Sequence, residues 1–177
     1  DVRIGHDCEI GNQCFLKSGT VFANNVAFAD GCMTTGICYL GNHVAVRTAS
    51  CISRSVIVED WSFIGAGIMS SHTRFPAHGR QEGVKDMGRQ YITRIGYGCL
   101  IGSRTNFGAG VEICDYTIIG YNSGVIKSIK EAGIYVGNPV KKIAVLPDKW
   151  IIAKPDGYEP YEFPKQKLKK YLPNYFL

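Results

Sequence analysis

Residues 95–125 read IGYGCLIGSRTNFGAGVEICDYTIIGYNSGV. Cut every six residues, they become IGYGCL, IGSRTN, FGAGVE, ICDYTI and IGYNSG, with Val125 opening another unit. A large apolar residue heads each unit: Ile95, Ile101, Phe107, Ile113, Ile119 and Val125. The same step runs through the N-terminal half at Ile4, Ile10, Leu16, Phe22, Phe28, Thr34, Leu40, Val46, Ile52, Val58 and Ile64. Only Thr34 breaks the apolar rule, so the period belongs to the chain as a whole. A period of six is neither that of an α-helix nor that of a simple strand. It describes a short strand and a corner, and three such units close a triangular coil of about 18 residues. Coils stacked in this way pair as parallel strands about 4.8 Å apart and pile like residues on like inside the prism.

A second inward column follows four residues after each head, and it is made of small side chains. It holds Cys8, Cys14, Thr20, Val26, Cys32, Cys38, Val44, Ser50, Val56, Ser62 and Ile68, then Cys99, Thr105, Val111, Thr117 and Ser123. Five of the seven cysteines stand there, the count is odd, and Cys-x-x-Cys does not occur. They read as small hydrophobes that fill the prism in reduced form, which fits a cytoplasmic setting. Glycine commonly follows the head (Gly5, Gly11, Gly41, Gly65, Gly96, Gly102, Gly108, Gly120), where the chain must bend tightly. The fold class is therefore all-β: a left-handed parallel β-helix of hexapeptide repeats with a long mid-helix loop and an irregular C-terminal extension.

From Ile64 to Ile95 is 31 residues, which is not a multiple of six. The register is lost in residues 70–94, SSHTRFPAHGRQEGVKDMGRQYITR, a polar stretch with two histidines. A loop of that length inside a regular fold points to function, because it does not serve the core. The net charge of +5 suits an anionic ligand, and the lack of a dense Lys/Arg run speaks against nucleic acid. The apolar runs are far shorter than the roughly 20 residues of a membrane span. The chain opens on Asp1 and enters the repeat by Ile4, which points to residues upstream of those given.

The closing GNPVKKI of residues 137–143 and the SSHT of residues 70–73 give the chain a resemblance to the hexapeptide-repeat acyltransferases, the family of sugar, galactoside/maltose and xenobiotic O-acetyltransferases. The resemblance covers residues 4–143. It implies a homotrimer with acetyl-CoA as acyl donor between subunits and no metal. It implies that a loop histidine, here His72, takes the proton from an acceptor hydroxyl on a sugar or polysaccharide. Gly108, Ala109, Ser123 and Gly124 would border the pantetheine arm, Asn138 and Pro139 would shape the end of the cleft, and Lys141 and Lys142 would face the phosphates of coenzyme A. Tyr121, Asn122 and Val140 depart from the family pattern. Glu82 or Asp86 would orient His72. On this reading residues 1–143 form the acyltransferase domain, and residues 144–177 form an extension packed on the prism or on a neighbouring subunit.

Three alternatives accompany this reading: N-acetylation of an amino sugar, a γ-class carbonic anhydrase, and a non-enzymatic scaffold. The carbonic anhydrase would need three histidines on one metal, and His43, His72 and His78 form the set to consider. The scaffold would use Thr34, Trp61 and the aromatic tail for protein contacts. His6 and His43 read as solvent-facing, and the KQKLKK of residues 165–170 as a solvated basic face.

Overall fold

The computed structural model describes residues 1–75 and 88–176. Most corners of the repeat are turned by a residue in the left-handed region, three positions past the head. Asp7, Gln13, Asn25, His43, Ala49, Trp61, Arg104, Tyr116 and Asn122 adopt φ between 54° and 60° there, and Gly98 and Gly110 take the same position. Asn, Asp and Gly tolerate this conformation, whereas Trp61 and Tyr116 need support. Trp61 stacks on the His43 ring at 4.0 Å, and the Tyr116 hydroxyl donates to the Ile152 carbonyl at 2.8 Å.

The corners separate three parallel sheets, the faces of a left-handed β-helix of about seven coils. The first face stacks Arg3–Ile4, Thr20–Phe22, Cys38–Leu40, Val56–Val58, Thr93–Ile95 and Glu112–Ile113. The second stacks Glu9–Ile10, Ala27–Phe28, Ala45–Val46, Phe63–Ile64, Leu100–Ile101, Ile118–Ile119 and Ile134–Gly137, and an antiparallel return over Val140–Ala144 ends it. The third stacks Met33–Thr34, Cys51–Ile52, Met69–Ser70, Asn106–Phe107 and Gly124–Val125. Cys38 pairs with Val56, a step of 18 residues, and Val56 pairs with Thr93, a step of 37. The excursion thus adds 19 residues (37 less 18) to one coil, and the register resumes unchanged.

The heads from Phe22 to Val125 are buried, whereas Ile4 and Ile10 in the first coil are exposed. Each fully buried aliphatic or phenyl side chain contributes about 1.5–3 kcal/mol, so this ladder is the main stabilising element. The small second column does more than fill space. The Ser50 hydroxyl donates to the Gly65 carbonyl at 2.9 Å and the Ser62 hydroxyl to that of Gly96 at 2.7 Å, so buried polar groups are satisfied within the stack. Thr34, the exceptional head, shares a hydrogen bond of 2.6 Å with the buried Thr20 hydroxyl. All seven cysteines are free thiols. A further ladder was not anticipated: Asn24, Asn42 and Asp60 accept the backbone N–H of His6, Asn24 and Asn42 at 3.1, 3.1 and 2.9 Å, each bond joining successive coils.

The excursion is shorter than residues 70–94. Ser70 ends a strand and Arg94 lies within one. Ser70 is itself a head, six residues past Ile64, and its hydroxyl accepts the Ser53 N–H at 2.8 Å and donates to the Cys51 carbonyl at 3.2 Å.

The C-terminal extension carries a helix over Lys165–Tyr171 and two short 3-10 turns, so it is more regular than expected. It lies across the first face as a strap. The Tyr161 ring stacks on Tyr39 at 3.7 Å, and Phe163, Leu168 and Leu172 form a second apolar core with Ile37 and Ile57. The lysines at 165, 169 and 170 are exposed while Leu168 points inward, so the basic run is one side of an amphipathic helix. A buried ionic clamp fixes the strap. Glu59 is ion-paired with Arg94 and accepts the Tyr158 hydroxyl at 2.7 Å, and Arg94 donates to the Tyr161 carbonyl at 2.8 Å and to Glu162 at 2.5 Å. Burial outweighs these favourable partners and raises the Glu59 carboxyl above its ordinary value.

Candidate functional site

The corner between the third and first faces brings one position of each coil into line. Two residues past the head, this column reads Gly36, Arg54, His72, Ala109 and Lys127, at steps of 18, 18, 37 and 18. His72 therefore sits one coil above Arg54, where the chain leaves the prism, and its carbonyl accepts the Tyr91 N–H at 3.1 Å as the excursion returns. The Arg54 Nη2 lies 2.9 Å from His72 Nε2. A guanidinium has donors only, so the ring nitrogen accepts. Burial and, after it, the Arg54 charge lower the basicity of His72 and keep the imidazole neutral.

Two hollows adjoin this histidine loop and share Ser71, Thr73 and Arg74 as a common wall. The lower one, about 630 Å³, is lined by Thr35, Cys51, Ser53, Arg54, Met69 and His72 besides that wall. The upper one, about 500 Å³, is lined by Gly108, Ala109, Gly110, Ile126, Lys127 and Ser128 among others. Arg74 lies over the Tyr91 ring, 4.3 Å from its centroid, which holds its guanidinium at the boundary.

The expected site residues fall into two groups. His72, Gly108 and Ala109 meet at this corner. Gly108 has no steric need to be glycine: a Cβ there would meet nothing nearer than the Val125 carbonyl oxygen at 3.4 Å. Ser123, Gly124, Asn138, Pro139, Lys141 and Lys142 belong to the coil above and its closing hairpin. The Ser123 hydroxyl donates to the Gly120 carbonyl at 2.7 Å and accepts the Gly137 N–H at 3.2 Å. A Cβ on Gly124 would collide with the Asn138 carboxamide, so this glycine is accounted for by the hairpin. Lys142 pairs with Glu131 at 2.5 Å, whereas Lys141 is exposed. His78, Glu82 and Asp86 lie outside the described residues. His43 stacks on Trp61 at the corner between the first and second faces, a corner away from His72. Among the described residues no group of three metal-ligating side chains converges.

Arg54, Arg74 and Lys127 did not emerge from the sequence reading. Arg54 and Lys127 carry a usable signal, since stepping by whole coils from His72 lands on both. Arg74 carries none. Among the described residues no helix is long and apolar enough to cross a membrane.

No family model matches the sequence. Among curated proteins, the bifunctional protein GlmU of Heliobacterium modesticaldum is 28% identical over 143 residues, which cover 81% of this chain and 28% of that protein. The chain thus spans little more than a quarter of that protein's length. Among solved structures, a variant of AntD, an N-acyltransferase from Bacillus cereus in complex with dTDP and coenzyme A, superposes with a TM-score of 0.66 at 19% identity, over 83% of this chain and 85% of that one. PerB from Caulobacter crescentus, in complex with CoA and GDP-perosamine, gives 0.62 at 13% identity, over 77% and 58%. The acetyltransferase domain of PglB from Neisseria gonorrhoeae, in complex with acetyl coenzyme A, gives 0.61 at 15%, over 74% and 55%. What this chain shares with these acyl- and acetyltransferases is the left-handed parallel β-helix itself.

Proposed function

We propose that this chain is an acetyl-CoA-dependent acyltransferase acting on a sugar, with His72 as general base. The observation that carries the reading is the common wall of the two hollows. A donor lying along Gly108, Ala109 and Lys127 and an acceptor lying along Thr35, Ser53 and Arg54 would meet beside His72. The acceptor atom attacks the thioester carbonyl carbon while His72 Nε2 takes its proton. The tetrahedral intermediate then collapses, the C–S bond breaks, and the coenzyme A thiolate leaves with a proton returned from the imidazolium. A neutral imidazole suits this task, and burial keeps it neutral.

The absence of a side chain at Gly108, which the fold does not demand, leaves room for a pantetheine arm. Ser123, Gly124, Asn138 and Pro139 would continue the path along the coil above, and Lys127 and Lys141 are the cations offered to the coenzyme A phosphates, Lys142 being held by Glu131. AntD is an N-acyltransferase, and PerB was captured with GDP-perosamine, so an amine on a sugar is the first acceptor to test. The hydroxyl suggested by the sequence resemblance is the second. Residues 1–143 would carry the chemistry and the extension would brace them.

We also propose that the chain works as a homotrimer. Phe15, Met33 and Met69 are exposed in register along the third face with Cys51 between them, and a second copy laid there would close the lower hollow. Calorimetry with acetyl-CoA, followed by mass spectrometry of an amino-sugar panel, tests the reading. Saturable binding and transfer that falls about 10²–10⁴-fold in His72→Ala would support it. Absence of acetyl-CoA binding, or full turnover in His72→Ala, would sink it.

A further inference from the structure

The lone pair that would make His72 a base is already engaged. With Arg54 Nη2 donating to Nε2 at 2.9 Å, the neutral ring carries its own proton on Nδ1, and Nε2 cannot receive another until the guanidinium moves. Arg54 is built to hold its backbone and release its head. Its N–H donates to the Thr35 hydroxyl at 2.9 Å, and a Cβ on Gly36 would stand 2.9 Å from the Arg54 Cβ, so glycine is what lets the arginine stem pass. Its Nε, by contrast, is buried with no hydrogen-bond partner among the described residues. A guanidinium with one donor unsatisfied and another spent on a neutral nitrogen has much to gain from an anion, which accepts through two oxygens at once.

The hollow in front of it has the matching chemistry. Thr35, Ser71 and Thr73 bring hydroxyls, Arg74 brings a second guanidinium, and among the described residues no carboxylate lines it. Two guanidinium groups beside hydroxyl donors fit a phosphate better than a neutral sugar hydroxyl.

We propose that Arg54 determines specificity: it holds the basic lone pair of His72 until a phosphate on the acceptor, seated between Arg54 and Arg74, draws the guanidinium away and frees Nε2 for proton transfer. The acceptor is thereby a phosphorylated or nucleotide-linked sugar. The fate of the proton rests on the acyltransferase reading, but the phosphate site does not.

The test uses the full chain labelled with ¹⁵N in histidine. The Nε2 resonance and titration midpoint of His72 are followed by NMR while inorganic phosphate, standing for a sugar phosphate, or inorganic pyrophosphate, standing for a nucleotide diphosphate, is added. Either anion should shift Nε2 and move the midpoint up, and the tighter of the two names the source. Arg54→Gln should move the midpoint up without anion and weaken anion binding about tenfold. His72→Ala should bind the anion at least as tightly as the parent, because Arg54 is then released. Should Arg54→Gln fail to fold by circular dichroism, Arg54→Lys, which keeps the charge without the fork, serves in its place and should lose affinity severalfold. An Arg54 variant that leaves both midpoint and affinity unchanged overturns the proposal, as does acetate binding as tightly as phosphate. Loss of the acyltransferase reading is separately visible: a chain that ignores acetyl-CoA yet gives the phosphate response keeps this site and loses that activity. Acetyl transfer to a neutral amino sugar with the same kcat/KM as to its phosphate would overturn the role of Arg54 and leave the activity standing.

Discussion

Arg94→Met should cost this protein about 3 kcal/mol near neutral pH, with a pH signature that identifies the cause. Methionine keeps much of the stem's packing while deleting the charge. The Glu162 pair contributes little, since that carboxylate is 77% exposed. The Glu59 pair is different, because its carboxylate is only 4% exposed and would be left uncompensated. Breaking one side of a buried pair costs roughly 3–5 kcal/mol, and the low end applies because the Tyr158 hydroxyl and the Tyr161 N–H still donate to Glu59. The Glu59 carboxyl in the folded chain titrates above its ordinary 4.5, so the folded state binds more protons than the unfolded one between those two values. Its contribution to stability is therefore fully present below 4.5 and lost as pH rises through the folded value. Removing Arg94 pushes that value higher still. Urea unfolding of parent and variant across pH should show a large deficit at neutral pH that shrinks towards pH 4.5. A deficit under about 1 kcal/mol, or one equal at every pH, would refute the reasoning.

Gly65→Ala places a Cβ 2.5 Å from the Ser103 nitrogen, backbone that cannot yield, and should destabilise by about 1–3 kcal/mol in urea. Gly108→Ala meets nothing nearer than 3.4 Å, so it should leave stability within about 0.5 kcal/mol while weakening acetyl-CoA in calorimetry. The lowered basicity of His72 should set the acid limb of kcat/KM below the ordinary 6.5. Since the unfolded chain binds the extra proton first, the contribution of this histidine to stability is present above 6.5 and lost as pH falls through the folded value. An acid limb at or above 6.5 would contradict the placement of His72.

The prism was legible because its period is imposed by covalent geometry: each head must face inward whatever else the coil does. Where the reading stopped short, at Ser70, the head was polar and its partners were backbone groups that a hydrophobicity pattern cannot register. The strap was not legible, because the residues it joins lie far apart in sequence, Glu59 to Tyr158 spanning 99 positions with no period to relate them. His72 could be singled out by its place in the break of the repeat. Its bond to Arg54 could not, since the reach of a long side chain depends on rotamers that spacing does not set, even though the 18-residue step was in plain view. Ser123 and Gly124 show the reverse case: the resemblance assigned them to a cofactor, and their immediate partners are the hairpin that ends the prism.

The strap also shapes how the chain folds. The coils pair with their immediate neighbours at steps of 18 or 37 residues, and of 16 at the closing strand, so the prism can grow by addition, each completed turn templating the next. The strap obeys a different rule, for its docking surface exists only after several turns are complete and must then be found across about a hundred residues of chain. Folding thus divides into a local, zipper-like growth and a late, long-range closure. Until that closure, Ile37 and Ile57 stand bare on the first face, and that interval is when a nascent chain is most exposed to association with its own kind.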